Sequence, residues 1–171
     1  MSDNLSLAQG FTAALASGAL AAGTNSGTIK TTVAVPYALD GRFYSKSITD
    51  NIAISYSGPS VYQAAAGGVQ SVNGGFSGGV NGSTRLYLLC FDASGNVSIV
   101  PGKIVDNADL AAGRAPLEFP DAPNAVCPFG AMRIAVTAGT NFTPGTTALN
   151  AAGVTATFVN LATVPANPLT A

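Results

Sequence analysis

The sequence predicts an all-β fold, a β-sandwich or jelly-roll-like antiparallel domain preceded by an N-terminal arm or short helix. At least seven short runs rich in β-branched and aromatic residues recur along the chain. Turn-forming residues separate them, and no regular alternation of strands with helices is visible. The 171 residues suit one domain with a core, and the composition of 47% hydrophobic and 9% charged residues is the reverse of a disordered chain. We therefore expect a folded β body.

The N-terminal part of the chain differs from the rest, and we divide the sequence into an arm or helix at residues 1–28 and a single β domain at residues 29–171. Residues 5–22 carry no charge, and large apolar residues recur there at helical spacing. We expect this segment to dock on a neighbouring subunit or on its own body, and we expect the body to fold without residues 1–28. The side chains expected to contact another subunit or a partner are Leu5, Leu7, Phe11, Leu15 and Leu20.

Other interpretations of this segment fit the sequence less well. A signal peptide has a basic n-region, whereas the only early charge here is Asp3. A membrane-spanning helix needs about 20 predominantly apolar residues, and this run is slightly short and rich in Ala, Ser and Gly. A poorly ordered tail is the remaining alternative. We expect no contact with a membrane.

A β-hairpin is predicted next. Residues 32–39 and 42–47 are β-rich and flank Asp40-Gly41, a strong short-range hairpin signal. Pro36 lacks a backbone donor, so the first of these strands should lie at an edge or carry a bulge. In residues 51–56, apolar and small residues alternate, which predicts a half-buried strand.

Residues 58–84 are rich in Gly and leave two alternatives open. A low-complexity loop is one of them. Such a long loop is unusual in a compact domain, so the other is a set of short strands joined at Asn73-Gly74 and at Gly78-Gly79.

The most apolar strand is predicted at residues 85–91, in the centre of a sheet. Residues 92–96 should form a hairpin loop that leads into a strand at residues 97–100. Pro101-Gly102 should then break the chain before residues 103–105.

Residues 106–128 contain four prolines and several acids, which predicts a long surface connection with a short helix at residues 107–112. The last two strands are predicted at residues 131–137 and 154–161, with a loop rich in Thr, Gly and Pro between them.

The chain contains no His, which removes the commonest general base, the commonest metal ligand and every nucleophile that depends on His. Cys90 and Cys127 are 37 positions apart and form no CxxC pair. They predict buried free thiols rather than a zinc or redox site. We expect no catalytic residue, no metal and no cofactor.

The acidic residues are the remaining candidates for catalytic side chains. Those nearest to one another are Asp106, Asp109, Glu118 and Asp121. A glycosidase needs a facing pair of carboxylates, but acids in a proline-rich connection usually cap helices and form turns. Residues 92–96 could offer oxygen ligands to calcium, yet they lack the spacing of a calcium loop and suit a hairpin turn better.

The charge distribution bears on partners. The net charge is −1 and the seven basic residues are scattered, so no patch for DNA or RNA is present and we expect no nucleic-acid binding. So few charges also predict that a partner covers part of the surface in a permanent assembly.

Three stretches carry a resemblance to a known group of proteins. They are TVAVPYALDGRFYSKSITDNIAI at residues 32–54, CPFGAMRIAV at residues 127–136 and TATFVNLATVP at residues 155–165. Together they cover about a quarter of the chain. In these stretches the sequence resembles small virion structural proteins of tailed bacteriophages.

The resemblance implies a capsid decoration (cement) protein. Such a protein would sit on the capsid surface of the virion, assembled in the host cytoplasm, and would bind the major capsid protein as a homo-oligomer, with a trimer favoured. It would not be an enzyme. The alternative within the virion is a tail or fibre component that contacts the host surface and displays its tyrosines, which are Tyr37, Tyr44, Tyr56, Tyr62 and Tyr87. A secreted polysaccharide-active enzyme would need the signal peptide and a carboxylate pair.

Overall fold

The β-rich runs form antiparallel strands throughout residues 11–56 and 74–162, the part of the chain that the computed structural model describes. The strands are β1 (Ala13–Ala14), β2 (Leu20–Ala22), β3 (Thr28–Thr31), β4 (Val35–Leu39), β5 (Arg42–Lys46), β6 (Thr49–Ala53), β7 (Phe76–Ser77), β8 (Ser83–Phe91), β9 (Val97–Asp106), β10 (Cys127–Val136), β11 (Asn141–Phe142) and β12 (Val154–Asn160), and helix α1 (Asn107–Ala111) follows β9. The predicted all-β, sandwich-like class is confirmed. No helix within these residues is long and apolar enough to cross a membrane.

The first layer is a three-stranded sheet in two halves, ordered β1-β4-β5 and β2-β3-β6, which we call the first sheet. The halves share one register, because the offset that places Ala13 opposite Ala38 also places Ala22 opposite Ile29. No residue is inserted or lost along this ladder, whereas the ladder between β3 and β6 shifts register between Ile29 and Thr31. The two halves are therefore one meander that is interrupted in the middle.

Pro36 explains where the interruption begins. In an antiparallel strand, the N–H and C=O of one residue point towards the same neighbour, and the C=O of Pro36 accepts from the N–H of Leu15. Proline has no N–H to donate in return, so the ladder between β1 and β4 ends at Ala14. The prediction of an edge strand was wrong, because β4 has a neighbour on each side, but pairing to the N-terminal strand does stop at Pro36.

The predicted hairpin is confirmed. Asp40 and Gly41 join β4 to β5 with φ values of 49° and 77°, the positive values that a type I′ turn requires. Leu39 and Arg42 face each other across the turn. The strand predicted at residues 51–56 is found two residues earlier, as β6.

The second layer is a four-stranded sheet with the order β12-β10-β8-β9. All residues of β8 are buried, which confirms the predicted central strand. The predicted break at Pro101-Gly102 was wrong, because β9 runs through it. A register shift between Arg85 and Tyr87 absorbs the irregularity, and β9 has an unpaired outer edge among the described residues, where proline is tolerated.

Aromatic stacking joins the two layers. The ring of Tyr37 in the first sheet stacks on that of Phe91, with 5.0 Å between the ring centroids, and the Phe91 ring stacks on that of Phe129, with 3.7 Å between the centroids. The Tyr37 hydroxyl also donates to the C=O of Asp92, 2.8 Å away, in the loop between β8 and β9. These contacts orient the first sheet on the second.

The N-terminal segment is part of the sandwich as far as the structure describes it. Residues 13–14 and 20–22 are strands of the first sheet, so the helix expected there is absent between residues 11 and 22. The pairing with residues 28–39 determines the conformation of this segment, although its apolar residues recur at helical spacing. Removing residues 1–28 would therefore remove a strand, and residues 1–10 lie outside the described part.

The Gly-rich stretch is described only from residue 74, so the possible turn at Asn73-Gly74 and most of the stretch lie outside the described residues. Beyond it, the short-strand alternative holds. β7 pairs with β11, and Gly79, with a φ of 54°, lies in the turn that leads to β8.

The proline-rich connection contains the predicted helix as α1. The carboxylate of Asp106 caps this helix by accepting from the N–H of Ala108 at 2.8 Å. Beyond the helix, the connection packs on the outer face of the second sheet, where Phe119 contacts a small buried cluster of Leu88, Cys90 and Leu161.

We predict that Gly130→Ala destabilises the sandwich, because a Cβ at this position would overlap the Cδ1 atom of Leu20. The free energy of unfolding, measured by urea denaturation, should fall by about 1–3 kcal/mol. Leu20→Ala alone should cost about 2–5 kcal/mol. The double variant should lose less stability than the sum of the losses in the two single variants, because the Leu20 atom that overlaps the new Cβ is gone. A loss equal to that sum would contradict the proposed contact.

Candidate interaction surface

Large apolar side chains are exposed mainly on the first sheet. Within residues 11–56 and 74–162, the exposed large hydrophobic residues are Phe11, Leu15, Val33, Phe43, Ile48 and Val80. Phe43 lies in β5, Phe11 and Leu15 flank β1, and Val33 and Ile48 lie between the two halves of the sheet; we call these five the apolar face. Exposed large apolar side chains on soluble proteins can mark interaction sites, so this is the candidate site.

The register places part of the apolar face on one side of the sheet. The row of residues that contacts the core is Ala14, Tyr37 and Tyr44. Successive residues of a strand point to opposite faces, so the adjacent row of Ala13, Ala38 and Phe43 lies on the other face, where Phe43 is exposed, Ala13 is half-buried and Ala38 is buried. Phe11 and Leu15, each two positions from Ala13, point the same way. Phe43 is 76% exposed.

β5 forms a free edge of the first sheet within the described residues, since it pairs only with β4. The two-residue turn makes Arg42, Tyr44 and Lys46 the positions that bond to β4. The N–H and C=O groups of Phe43 and Ser45 therefore point away from the sheet.

Two cations lie on this edge strand. Arg42 is exposed and Lys46 is half-buried, and neither forms an ion pair with another described residue. β5 contains no acid, so its free edge is positively charged.

The five predicted contact residues have different positions. Phe11 and Leu15 belong to the apolar face, as expected for contact residues. Leu20 is only 8% exposed and packs in the protein's own core, so it does not form part of this surface. Leu5 and Leu7 lie outside the described residues.

Sequence reasoning missed Val33, Phe43 and Ile48. For Phe43 a signal was present, because strand alternation after the Asp40-Gly41 turn puts it on the face opposite to Tyr44. Val33 and Ile48 flank the bend of the sheet, and no local pattern predicted a bend there.

Three of the four acids that were weighed as catalytic candidates have structural partners. Asp106 caps α1. Asp109 pairs with Arg114 at 2.8 Å. Glu118 pairs with Lys103 at 2.9 Å. These are the capping and surface roles expected for acids in a connection.

The fourth acid, Asp121, lines an apolar groove of about 300 Å³ between β1 and the proline-rich connection. Leu88, Phe119, Pro128 and Leu161 form much of its wall. The groove separates the N-terminal strand from the outer face of the second sheet.

Asp92 organises the loop between β8 and β9. Its carboxylate accepts from the N–H groups of Ser94 and Asn96 and from the Asn96 amide. Desolvation alone would raise the pKa of Asp92, but these hydrogen bonds together outweigh it and the pKa lies below its ordinary value. These hydrogen bonds hold the loop as a hairpin turn, which the sequence analysis favoured over a calcium loop.

The described tyrosines pack inside the protein. Tyr37 and Tyr87 are buried, Tyr44 stacks on Tyr37, and Tyr56 is half-buried. Tyr62 lies outside the described residues. The four described rings therefore do not form a row displayed to solvent.

The cysteines are free and buried, as predicted. Desolvation raises the pKa of Cys90 to about 12 and that of Cys127 to about 11, with the neighbouring thiol adding to the effect at Cys90. Thiols in such surroundings stay protonated and unreactive.

Arg85 is a buried cation that the sequence analysis treated only as the first residue of a strand. Its Nε atom donates to the C=O of Gly102 at 2.7 Å, in the bulged part of β9. Its Nη1 atom donates to the C=O groups of Gly74 and Gly75, each at 3.2 Å. Desolvation lowers the pKa of Arg85 from its ordinary value. Arg85 thus joins β8, β9 and the chain that leads into β7.

No group of three or more His, Cys, Asp or Glu side chains able to hold a metal ion occurs in residues 11–56 and 74–162. Comparison of the chain with protein-family models, with curated proteins and with solved structures finds no match.

We predict that Arg85→Met lowers the free energy of unfolding by about 3 kcal/mol, because the C=O groups of Gly102 and Gly75 lose their donor and that of Gly74 keeps only the Tyr87 hydroxyl. Arg85→Lys, which keeps the charge but not the planar fork, should restore only part of the loss. Denaturant unfolding measures both. A Met variant within about 0.5 kcal/mol of the native protein would contradict this role.

We also predict a pH-dependent effect of Asp92→Asn. A carboxylate whose pKa is lowered by folding stabilises the protein above the unfolded pKa, about 3.9, and this contribution disappears as the pH falls through the folded pKa. The variant should therefore be less stable than the native protein near neutral pH, and the gap should close in acid.

Urea unfolding at several pH values checks this prediction. Asp121→Asn is the matched control, because Asp121 accepts no hydrogen bond from another described side chain or backbone group. A constant gap between Asp92→Asn and the native protein at all pH values would contradict the role of the Asp92 charge.

Proposed function

We propose that the protein is a bacteriophage virion structural protein, a capsid decoration protein that binds the major capsid protein and stabilises the shell as a symmetric oligomer, a trimer. The observation that carries this proposal is the apolar face, five exposed large side chains on or beside the first sheet of the β-sandwich.

The energetics of this face favour a symmetric oligomer. Full burial of a large apolar side chain contributes about 1.5–3 kcal/mol, so five partly exposed ones give roughly 5–10 kcal/mol before any costs. Association costs about 4–15 kcal/mol in lost freedom of motion. A single contact is therefore marginal, whereas several equivalent contacts made by a closed oligomer reinforce one another.

The internal roles of the polar residues support the same proposal. Three of the four acids weighed for catalysis cap a helix or form surface ion pairs, and the described tyrosines pack inward. Binding through shape and apolar contact makes use of the features that are left on the surface. The tyrosine display expected of a tail or fibre component has no counterpart among the described rings.

Cryo-electron microscopy of purified particles tests the proposal. We expect density for the sandwich at every equivalent symmetry position of the shell, with the apolar face against the major capsid protein or a neighbouring copy. Density confined to the tail would replace the proposal with the tail alternative, and particles that lack the protein would overturn both.

A further inference from the structure

We propose that the free edge of β5 binds an extended segment of the partner by strand addition, and that the segment carries acidic side chains opposite Arg42 and Lys46. The identity of the partner as the shell protein rests on the proposed function. The edge itself rests on the geometry of the first sheet alone.

The outer edge of β5 presents main-chain groups that can form hydrogen bonds with another strand. Phe43 and Ser45 direct their N–H and C=O groups away from β4, as the register of the hairpin requires. An incoming strand could form up to four hydrogen bonds with these groups without disturbing the β4–β5 ladder. Strand addition draws its affinity from such bonds and its specificity from alternate side chains.

The exposed side chain of Phe43 also favours a partner at this edge. Natural proteins blunt free edges with charges, proline or bulges, and lysine or arginine at positions 42 and 46 could serve that purpose alone. A phenylalanine that is 76% exposed in the middle of the strand works against such protection. It provides an apolar contact next to the edge.

The charges of Arg42 and Lys46 indicate which kind of segment can pair with β5. If β5 of a second copy paired antiparallel about Tyr44, the register that sets Phe43 of each copy opposite Ser45 of the other, Arg42 would lie opposite Lys46 of the second copy, and like charges directly opposite each other are destabilising. A segment with acidic residues four positions apart places opposite charges there instead. The favoured occupant is therefore an acidic strand of a different protein.

The test uses the full chain and a short synthetic strand peptide that alternates Val and Thr and carries two Glu residues four positions apart. Amide exchange and NMR titration follow Phe43 and Ser45. Both amides should exchange rapidly in the isolated protein and slow at least about ten-fold on peptide binding. A peptide with Lys in place of Glu should bind at least about ten-fold more weakly.

Two pairs of variants isolate the edge. Ser45→Pro removes an outward N–H but leaves the bonds to β4, so it should abolish binding, whereas Ser45→Ala keeps the N–H and should bind normally. Phe43→Ser should weaken binding, whereas Val80→Ser, at another exposed apolar residue, should not. Thermal unfolding checks that every variant is folded.

The outcomes separate the inference from the proposed function. Shells that load Ser45→Pro normally, with the β5 amides still exchanging rapidly, would overturn the inference and leave the decoration role in place. Peptide binding at β5 without loading on shells would support the edge site and overturn the decoration role. Amides already protected in the isolated monomer, or a dimer that Ser45→Pro dissociates, would overturn the inference, because the chain itself or a second copy would then cover the edge.

Discussion

The pairing of residues 13–22 with residues 28–39 is the constraint on which the rest of the structure depends. It supplies the N-terminal strand of the first sheet, and its single register leaves the chain no freedom to shift one half against the other. Because Ala14 and Leu20 from this strand contribute to the core, the layer and the core form together. The strand also leaves Phe11 and Leu15 on the outer face, where each is almost half exposed.

Pro36 adds a second constraint to the same sheet. It removes one donor on the side that faces the N-terminal strand, while its neighbours Val35 and Tyr37 continue to pair with β5. Both ladders of the sheet stop between its halves, because β4 begins only at Val35 and β5 ends at Lys46. Val33 and Ile48 lie in this interruption and are exposed there.

Local patterns predicted the elements that are encoded locally. The Asp40-Gly41 turn, the buried strand that ends at Phe91 and the capped helix after Asp106 all follow from short sequence signals, and all are present. The errors concern long-range pairing. Helical spacing suggested a helix near Phe11, but a partner strand some 25 residues away decides the conformation, and no periodicity within residues 5–22 reveals that partner.

The same limit applies to the surface. Phe11 and Leu15 were predicted as contacts for their place in an arm, and the structure exposes them for a different reason, as alternate residues of a strand. Leu20 continues the same apolar series, yet it turns inward to meet β10 at Gly130. Inward and outward positions are distinguished by the register across the sheet, which the sequence of a single strand does not contain.

The distribution of cations connects the stability of the body with its surface. Lys103 and Arg114 are in ion pairs with acids of the connection, and Arg85 is buried among carbonyl groups of the second layer. Three of the four remaining basic residues, Lys30, Arg42 and Lys46, lie on the first sheet. In a chain with so few charges, the layer that exposes the apolar residues thus also carries three of the described cations that form no ion pair. An apolar surface bordered by positive charge discriminates between partners by sign as well as by shape, since a basic partner would meet repulsion at the edge while an acidic one would be attracted.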